Sequence, residues 1–86
     1  MDSFSNLKKK EVINICDGMR LGFINDLEID IKFGKICNII VPEGNSIFGI
    51  FCCEKEFVIP WECIRTISDD IILVDVVIDK VLKDCH

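Results

Sequence analysis

An all-β fold, a small barrel or sandwich of about six antiparallel strands, is what this sequence predicts, and three observations carry the prediction. Residues 23–31 alternate strictly, with Phe23, Leu27, Ile29 and Ile31 expected on one face and Asp26, Glu28 and Asp30 on the other. Short β-branched runs recur along the chain, separated by turn signals every 8–12 residues. At 86 residues the chain makes one domain. Such a domain buries only about 60% of the surface its unfolded form exposes, so the core must be small.

The elements follow in order. A polar arm over 1–9 leads to Lys8-Lys9-Lys10, a short basic run read as a solvated entry to the first strand. Glu11-Val12-Ile13-Asn14-Ile15-Cys16 is β-branched enough for that strand, and Asp17-Gly18 turns it into a hairpin. Gly22 opens the next strand, at a position suited to a bulge or a close backbone approach. Lys32-Phe33-Gly34-Lys35 closes a second hairpin, with Gly34 free to take positive φ. Ile36-Cys37-Asn38-Ile39-Ile40-Val41 is apolar on both faces and is expected at the centre of a sheet.

Pro42-Glu43-Gly44-Asn45-Ser46 is a dense turn signal before a strand over Ile47-Phe48-Gly49-Ile50-Phe51. Phe57-Val58-Ile59 ends at Pro60, which removes a ladder donor and suits the start of one turn of 3₁₀- or α-helix over 60–64. The strand signal resumes at Ile64-Arg65-Thr66-Ile67. Asp69-Asp70 then turns the chain into the β-branched run 71–77. Beyond it, Ile78, Val81, Leu82 and Cys85 fall at helical spacing, which predicts a short amphipathic C-terminal helix that must dock to persist.

Composition narrows the function classes. Fifteen acidic against ten basic residues give a net charge of −5, which opposes binding to nucleic acid or to anionic membranes. Half of the residues are apolar and mean hydropathy is +0.38, more apolar material than a monomer of this size easily hides. A surface for self-association, such as a homodimer, or for a protein partner is therefore expected. No secretory signal pattern and no membrane-length apolar run stand in the sequence, so membrane insertion is not expected and the expected location is cytoplasmic. In that compartment Cys16, Cys37, Cys52, Cys53, Cys63 and Cys85 should stay thiols, most of them small core residues.

Catalytic chemistry finds little purchase. The one histidine, His86, is the last residue given, where it is least held, and no glycine loop cradles a phosphate. Asp26, Glu28 and Asp30 stand about 7 Å apart along one strand face, but a straight strand cannot gather the six to eight oxygens of a calcium site. A solvated outer face is the simpler reading. Cys16, Cys52, Cys53 and Cys63 with Cys85 or His86 could supply zinc ligands, although no Cys-x-x-Cys pair is present. Trp61 follows Pro60 at a corner, where it either plugs one end of the fold or anchors an interface. Phe48 and Phe51 carry the same two readings.

Taken together, residues 17–27, Gly34-Lys35-Ile36, Ile40-Val41-Pro42, Val58-Ile59-Pro60-Trp61-Glu62 with Ile64, and Asp69-Asp70-Ile71-Ile72-Leu73-Val74 resemble a PRC-barrel domain over about 10–78. Within that family the sequence resembles the YlmC/YmxH group of small sporulation-associated proteins of endospore-forming Gram-positive bacteria. The resemblance implies one PRC-barrel domain over 1–86, with a core over 10–78 and a tail over 79–86. It implies a non-enzymatic protein-interaction module with no cofactor and no catalytic residue to transfer. Phe48, Phe51 and Trp61 are its candidate contact residues. Ser68 stands where a glycine is expected before Asp69-Asp70, and the cysteine content exceeds the pattern. The alternative function is therefore a cysteine-based metal-binding or thiol-redox module.

Overall fold

A computed structural model describes residues 4–43, 46–47, 50–51 and 55–84, with side chains at 46–47 and 50–51 outside the description. A short helix α1 (Phe4–Lys8) precedes strands β1 (Glu11–Asn14), β2 (Arg20–Phe23), β3 (Asp26–Asp30) and β4 (Lys35–Pro42). Two-residue strands β5 (Ser46–Ile47) and β6 (Ile50–Phe51) come next, then β7 (Lys55–Pro60) and a 3₁₀ turn η1 (Trp61–Cys63). The chain continues through β8 (Ile64–Ile67), β9 (Ile71–Val74), α2 (Ile78–Val81) and β10 (Leu82–Asp84). Two four-stranded sheets result, ordered β2-β1-β9-β8 and β10-β7-β4-β3, with β5 and β6 pairing separately.

The first sheet begins as the turn chemistry dictates. Gly18 takes φ +75°, and the Met19 amide donates to the Asp17 carboxylate at 2.9 Å, so Asp17 and Gly18 together reverse the chain between β1 and β2. The pairing slips between Val12 and Ile13, passing from Gly22 to Arg20, which is the bulge that Gly22 suggested. Gly22 itself sits at φ +118°, a conformation that L side chains rarely adopt. Arg20 and Glu11 bridge across the hairpin at 2.8 Å.

The expectation of purely antiparallel pairing needs correction at one place. β1 and β9 run parallel, from Glu11 opposite Ile71 to Asn14 opposite Val74. Parallel strands require a long connection, and here nearly the whole of the second sheet supplies it. The pair is extended by a side chain. Asn14, wholly buried, donates from Nδ2 to the Val76 carbonyl at 2.9 Å and accepts the Val76 amide on Oδ1 at 3.1 Å. Its amide group thus mimics one more strand residue where β1 turns away. The Cys16 amide also donates to Oδ1, at 3.3 Å.

In the second sheet β4 is central, as its two apolar faces predict, with β3 and β7 antiparallel on either side. Gly34, at φ +65°, closes the β3–β4 hairpin by donating to the Asp30 carbonyl at 2.7 Å. Pro60 ends β7 and opens η1, in keeping with the predicted helical turn. Two expectations fail in this half. Ile47 lies opposite Ile50, so the segment pairs with itself as a hairpin and not as one strand over 47–51. The C-terminal helix is a single turn, because β7 offers an open edge that takes Leu82–Asp84 as β10. Pairing a strand edge outweighs the helical spacing of a segment too short to be helical alone.

The core lies between the sheets. Val12, Leu21, Ile72 and Val74 meet Ile39, Val41, Phe57 and Ile59, with Ile24, Val76 and Val81 sealing the junctions. Complete burial of each such side chain contributes roughly 1.5–3 kcal/mol. Leu7 of α1 joins this core, so the amino-terminal arm is not uniformly polar, and Val81 and Leu82 bring the C-terminal segment onto the same core. The basic run is also divided. Lys8 and Lys9 are exposed, but Lys10 is 6% exposed, with Nζ donating to the Ser68 carbonyl and, at 3.1 Å, to the Asp69 carbonyl. A buried cation is tolerated because those carbonyl dipoles replace water. Ser68 closes its turn by donating from its amide and its hydroxyl to the Ile71 carbonyl. No helix among the described residues is long and apolar enough to cross a membrane.

Candidate functional site

The alternation in β3 establishes two faces but not which face is covered. Leu27, opposite Ile39, packs against the core, whereas Ile29, two residues on and opposite Ile36, is 54% exposed. The opposing sheet therefore stops covering this face between Leu27 and Ile29. Beyond it, Ile31 is 94% exposed and Phe33 67% exposed in the turn that joins β3 to β4. The expectation that Phe23, Ile29 and Ile31 face inward is corrected accordingly. Phe23 is half exposed as well, because β2 and β3 belong to different sheets and the chain crosses between them at Ile24 and Asn25, breaking the parity.

Ile29, Ile31 and Phe33 thus place three exposed apolar side chains within five residues at the end of a hairpin whose Leu27 packs against the core. They expose on the order of 400 Å² in all, within the range of about 300–600 Å² of the largest apolar patch on a typical monomer, which is often functional. The hairpin is well determined locally. Asp30 accepts the Lys32 amide at 3.0 Å and faces Lys35 across the ladder. The Lys32 ammonium lies 5.5 Å from the centre of the Phe33 ring. Pairing passes from Glu28–Asn38 to Ile29–Ile36, leaving Cys37 as an extra residue that bends β4 at the base of the tip.

The acidic residues occupy the same strand. Asp26 accepts the Leu27 amide at 2.8 Å, and Glu28 accepts the Asn38 side-chain amide at 2.7 Å. Both carboxylates are exposed, and neither takes part in an ion pair among the described residues. β3 is also the last strand of its sheet, so its outer edge meets no other described strand.

Trp61 is half-buried and packs against the core from η1, in accord with its reading as a plug. Phe48 lies outside the described residues, and Phe51 is described only as a backbone position of β6. Cys16 and Cys37 are exposed, which corrects the expectation of core thiols for these two, whereas Cys63 is half-buried and packs against the core; Cys52, Cys53, Cys85 and His86 lie outside the described residues. Among the described residues no three metal-ligating side chains come together. Ile31 and Phe33 were concealed by assignment to a strand face and a turn. Apolar residues interrupting the turn sequence Ile31-Lys32-Phe33-Gly34-Lys35 were the available signal.

The architecture is thus two small packed sheets, one with a parallel pair at its centre, and a 3₁₀ turn after β7. The PRC-barrel domain model matches residues 1–81, and the chain belongs to the PRC-barrel family. Within it, the chain is 42% identical over 74 residues to the probable sporulation protein YlmC of Bacillus subtilis, covering 86% of this chain and 91% of that protein. It is 40% identical over 73 residues to an uncharacterized protein of Clostridium acetobutylicum, covering 85% of this chain and 83% of that protein. To the uncharacterized protein YmxH of Bacillus subtilis it is 34% identical over 74 residues, covering 84% of this chain and 86% of the relative.

Proposed function

We propose that this chain is a non-enzymatic interaction module that acts in sporulation, in the cytoplasm, by holding a protein partner on the β3–β4 hairpin. The observation that carries the reading is the projection of Ile29, Ile31 and Phe33 into solvent from a hairpin whose base is anchored in the core. Exposing these side chains gains the isolated protein nothing, whereas a partner that covers them gains roughly 25 cal/mol for each Å² removed from water. The sporulation context is drawn from the relative named probable sporulation protein. Exposed thiols at Cys16 and Cys37 suit a reducing compartment.

The test is cross-linking capture from cells entering sporulation, followed by binding measurements with the purified captured protein. The double variant Ile31→Ser/Phe33→Ser should keep its melting temperature and bind that protein at least about tenfold more weakly, a loss of about 1.4 kcal/mol. Equal binding by wild type and double variant would remove the hairpin from the interface.

A further inference from the structure

We infer that the segment recognised by this hairpin is an extended polypeptide in which basic and apolar residues alternate, added as a further strand along the outer edge of β3. The inference rests on the reading of the hairpin as the contact surface. β3 ends its sheet, so a segment laid along it extends the ladder without displacing any described strand. Such a segment would meet two chemically different rows. On one face Leu27 and Ile29 present apolar surface that continues to Ile31, and on the other Asp26 and Glu28 present exposed carboxylates. Strand periodicity converts those rows into a demand for alternation in the partner.

The sign of the charge follows from what surrounds the carboxylates. Asp30 faces Lys35 across the β3–β4 ladder, but Asp26 lies opposite Ile40 and Glu28 opposite Asn38. Among the described residues, two acidic positions are thus left without a cation. The Leu27 amide, now held by the Asp26 carboxylate at 2.8 Å, would pass to a partner carbonyl, releasing Asp26 to a basic side chain. A second copy of this chain does not suit the edge. Antiparallel pairing of β3 with itself sets Asp26, Glu28 and Asp30 against the same row, and like charges directly opposed destabilise a ladder. The apolar tips of two copies would also bury only about 800 Å² in total, short of the roughly 1,200 Å² at which stable interfaces begin.

The experiment titrates isotope-labelled full-length protein with two capped seven-residue peptides, one alternating Lys and Val and the other alternating Glu and Val, while amide resonances are followed. The Lys/Val peptide should shift the amides of residues 27–31, bind about tenfold more tightly than the Glu/Val peptide, and lose that advantage in 0.5 M salt. In the exposed-site variant Asp26→Lys/Glu28→Lys the order of the two peptides should invert. Equal affinity for both peptides, shifts centred away from β3, a concentration-dependent dimer contacting through β3, or preferential binding of the hairpin to phosphatidylglycerol vesicles would each overturn the inference. If a captured native partner depends on Ile31 and Phe33 while the Lys/Val peptide does not bind, the strand-addition inference fails and the interaction reading stands. If partner binding survives Ile31→Ser/Phe33→Ser, the interaction reading itself fails.

Discussion

Replacing Asn14 with alanine should be the most damaging single change of a polar residue in this fold. The side chain is wholly buried and forms a reciprocal pair with the Val76 backbone, at 2.9 Å and 3.1 Å. Alanine leaves the Val76 amide and carbonyl without those partners at a buried position, and each orphaned backbone group costs about 1–3 kcal/mol. The Cys16 amide is close to solvent and can turn to water, so it adds little. The expected loss is therefore about 2–6 kcal/mol. Domains of this length hold roughly 5–13 kcal/mol in all, so the variant should be marginal. Urea unfolding followed by Trp61 fluorescence and by far-ultraviolet circular dichroism measures it. The matched control is Asn38→Ala, which removes an exposed side-chain bond to Glu28 and should cost under about 1 kcal/mol. If Asn14→Ala loses no more than that control, the side chain does not extend the parallel pair as argued.

Other perturbations test other parts of the fold. Lys10→Met should lower stability by about 1–3 kcal/mol through lost bonds to the Ser68 and Asp69 carbonyls, whereas Lys9→Met should change it by under about 0.5 kcal/mol, both read by urea midpoint. Gly22→Ala should cost about 1–3 kcal/mol, because an added Cβ meets only ordinary contact with Val41 at 3.6 Å and the penalty comes from φ +118°. Gly18→Ala, at φ +75° with open space around it, should cost less, and a reversed order in thermal melts would contradict the backbone argument. Val81→Ala should lose about 1–3 kcal/mol and raise hydrogen exchange first in β10, since Val81 fixes the turn that delivers that strand to β7.

What could be read in the sequence is what local chemistry decides. Asp17-Gly18 and Gly34 specify their reversals within a few residues, and Pro60 both ends β7 and begins η1, so these features stand where expected. The direction of β9 relative to β1 could not be read, because both segments are β-branched and neither carries a mark of its partner about 60 residues away. Lys10 looked like its exposed neighbours for the same reason, its carbonyl partners at Ser68 and Asp69 being equally remote. Leu82–Asp84 illustrates the opposite difficulty. Its spacing with Ile78 and Val81 is helical, and only the vacant edge of β7 decides for a strand. The candidate surface was half legible, since the alternation in β3 identified the rows while the extent of the covering sheet decided which of them meets water.

The parallel pairing of β1 with β9 has a consequence for synthesis. On a ribosome, β1 and its hairpin partner β2 emerge early, yet the strand that completes their sheet is made about 60 residues later. Until Ile71–Val74 leaves the exit tunnel, one side of β1 and the apolar face carrying Val12 and Leu21 have no native cover, while the second sheet can already assemble from β3, β4 and β7. The nascent chain thus carries an open, β-branched edge through most of its translation. Pairings so distant in sequence form slowly, and such edges are where growing chains associate wrongly. Prematurely terminated chains lacking β9 should accumulate in aggregates or on chaperones, so the integrity of this small domain is decided by the segment from Ile71 onward.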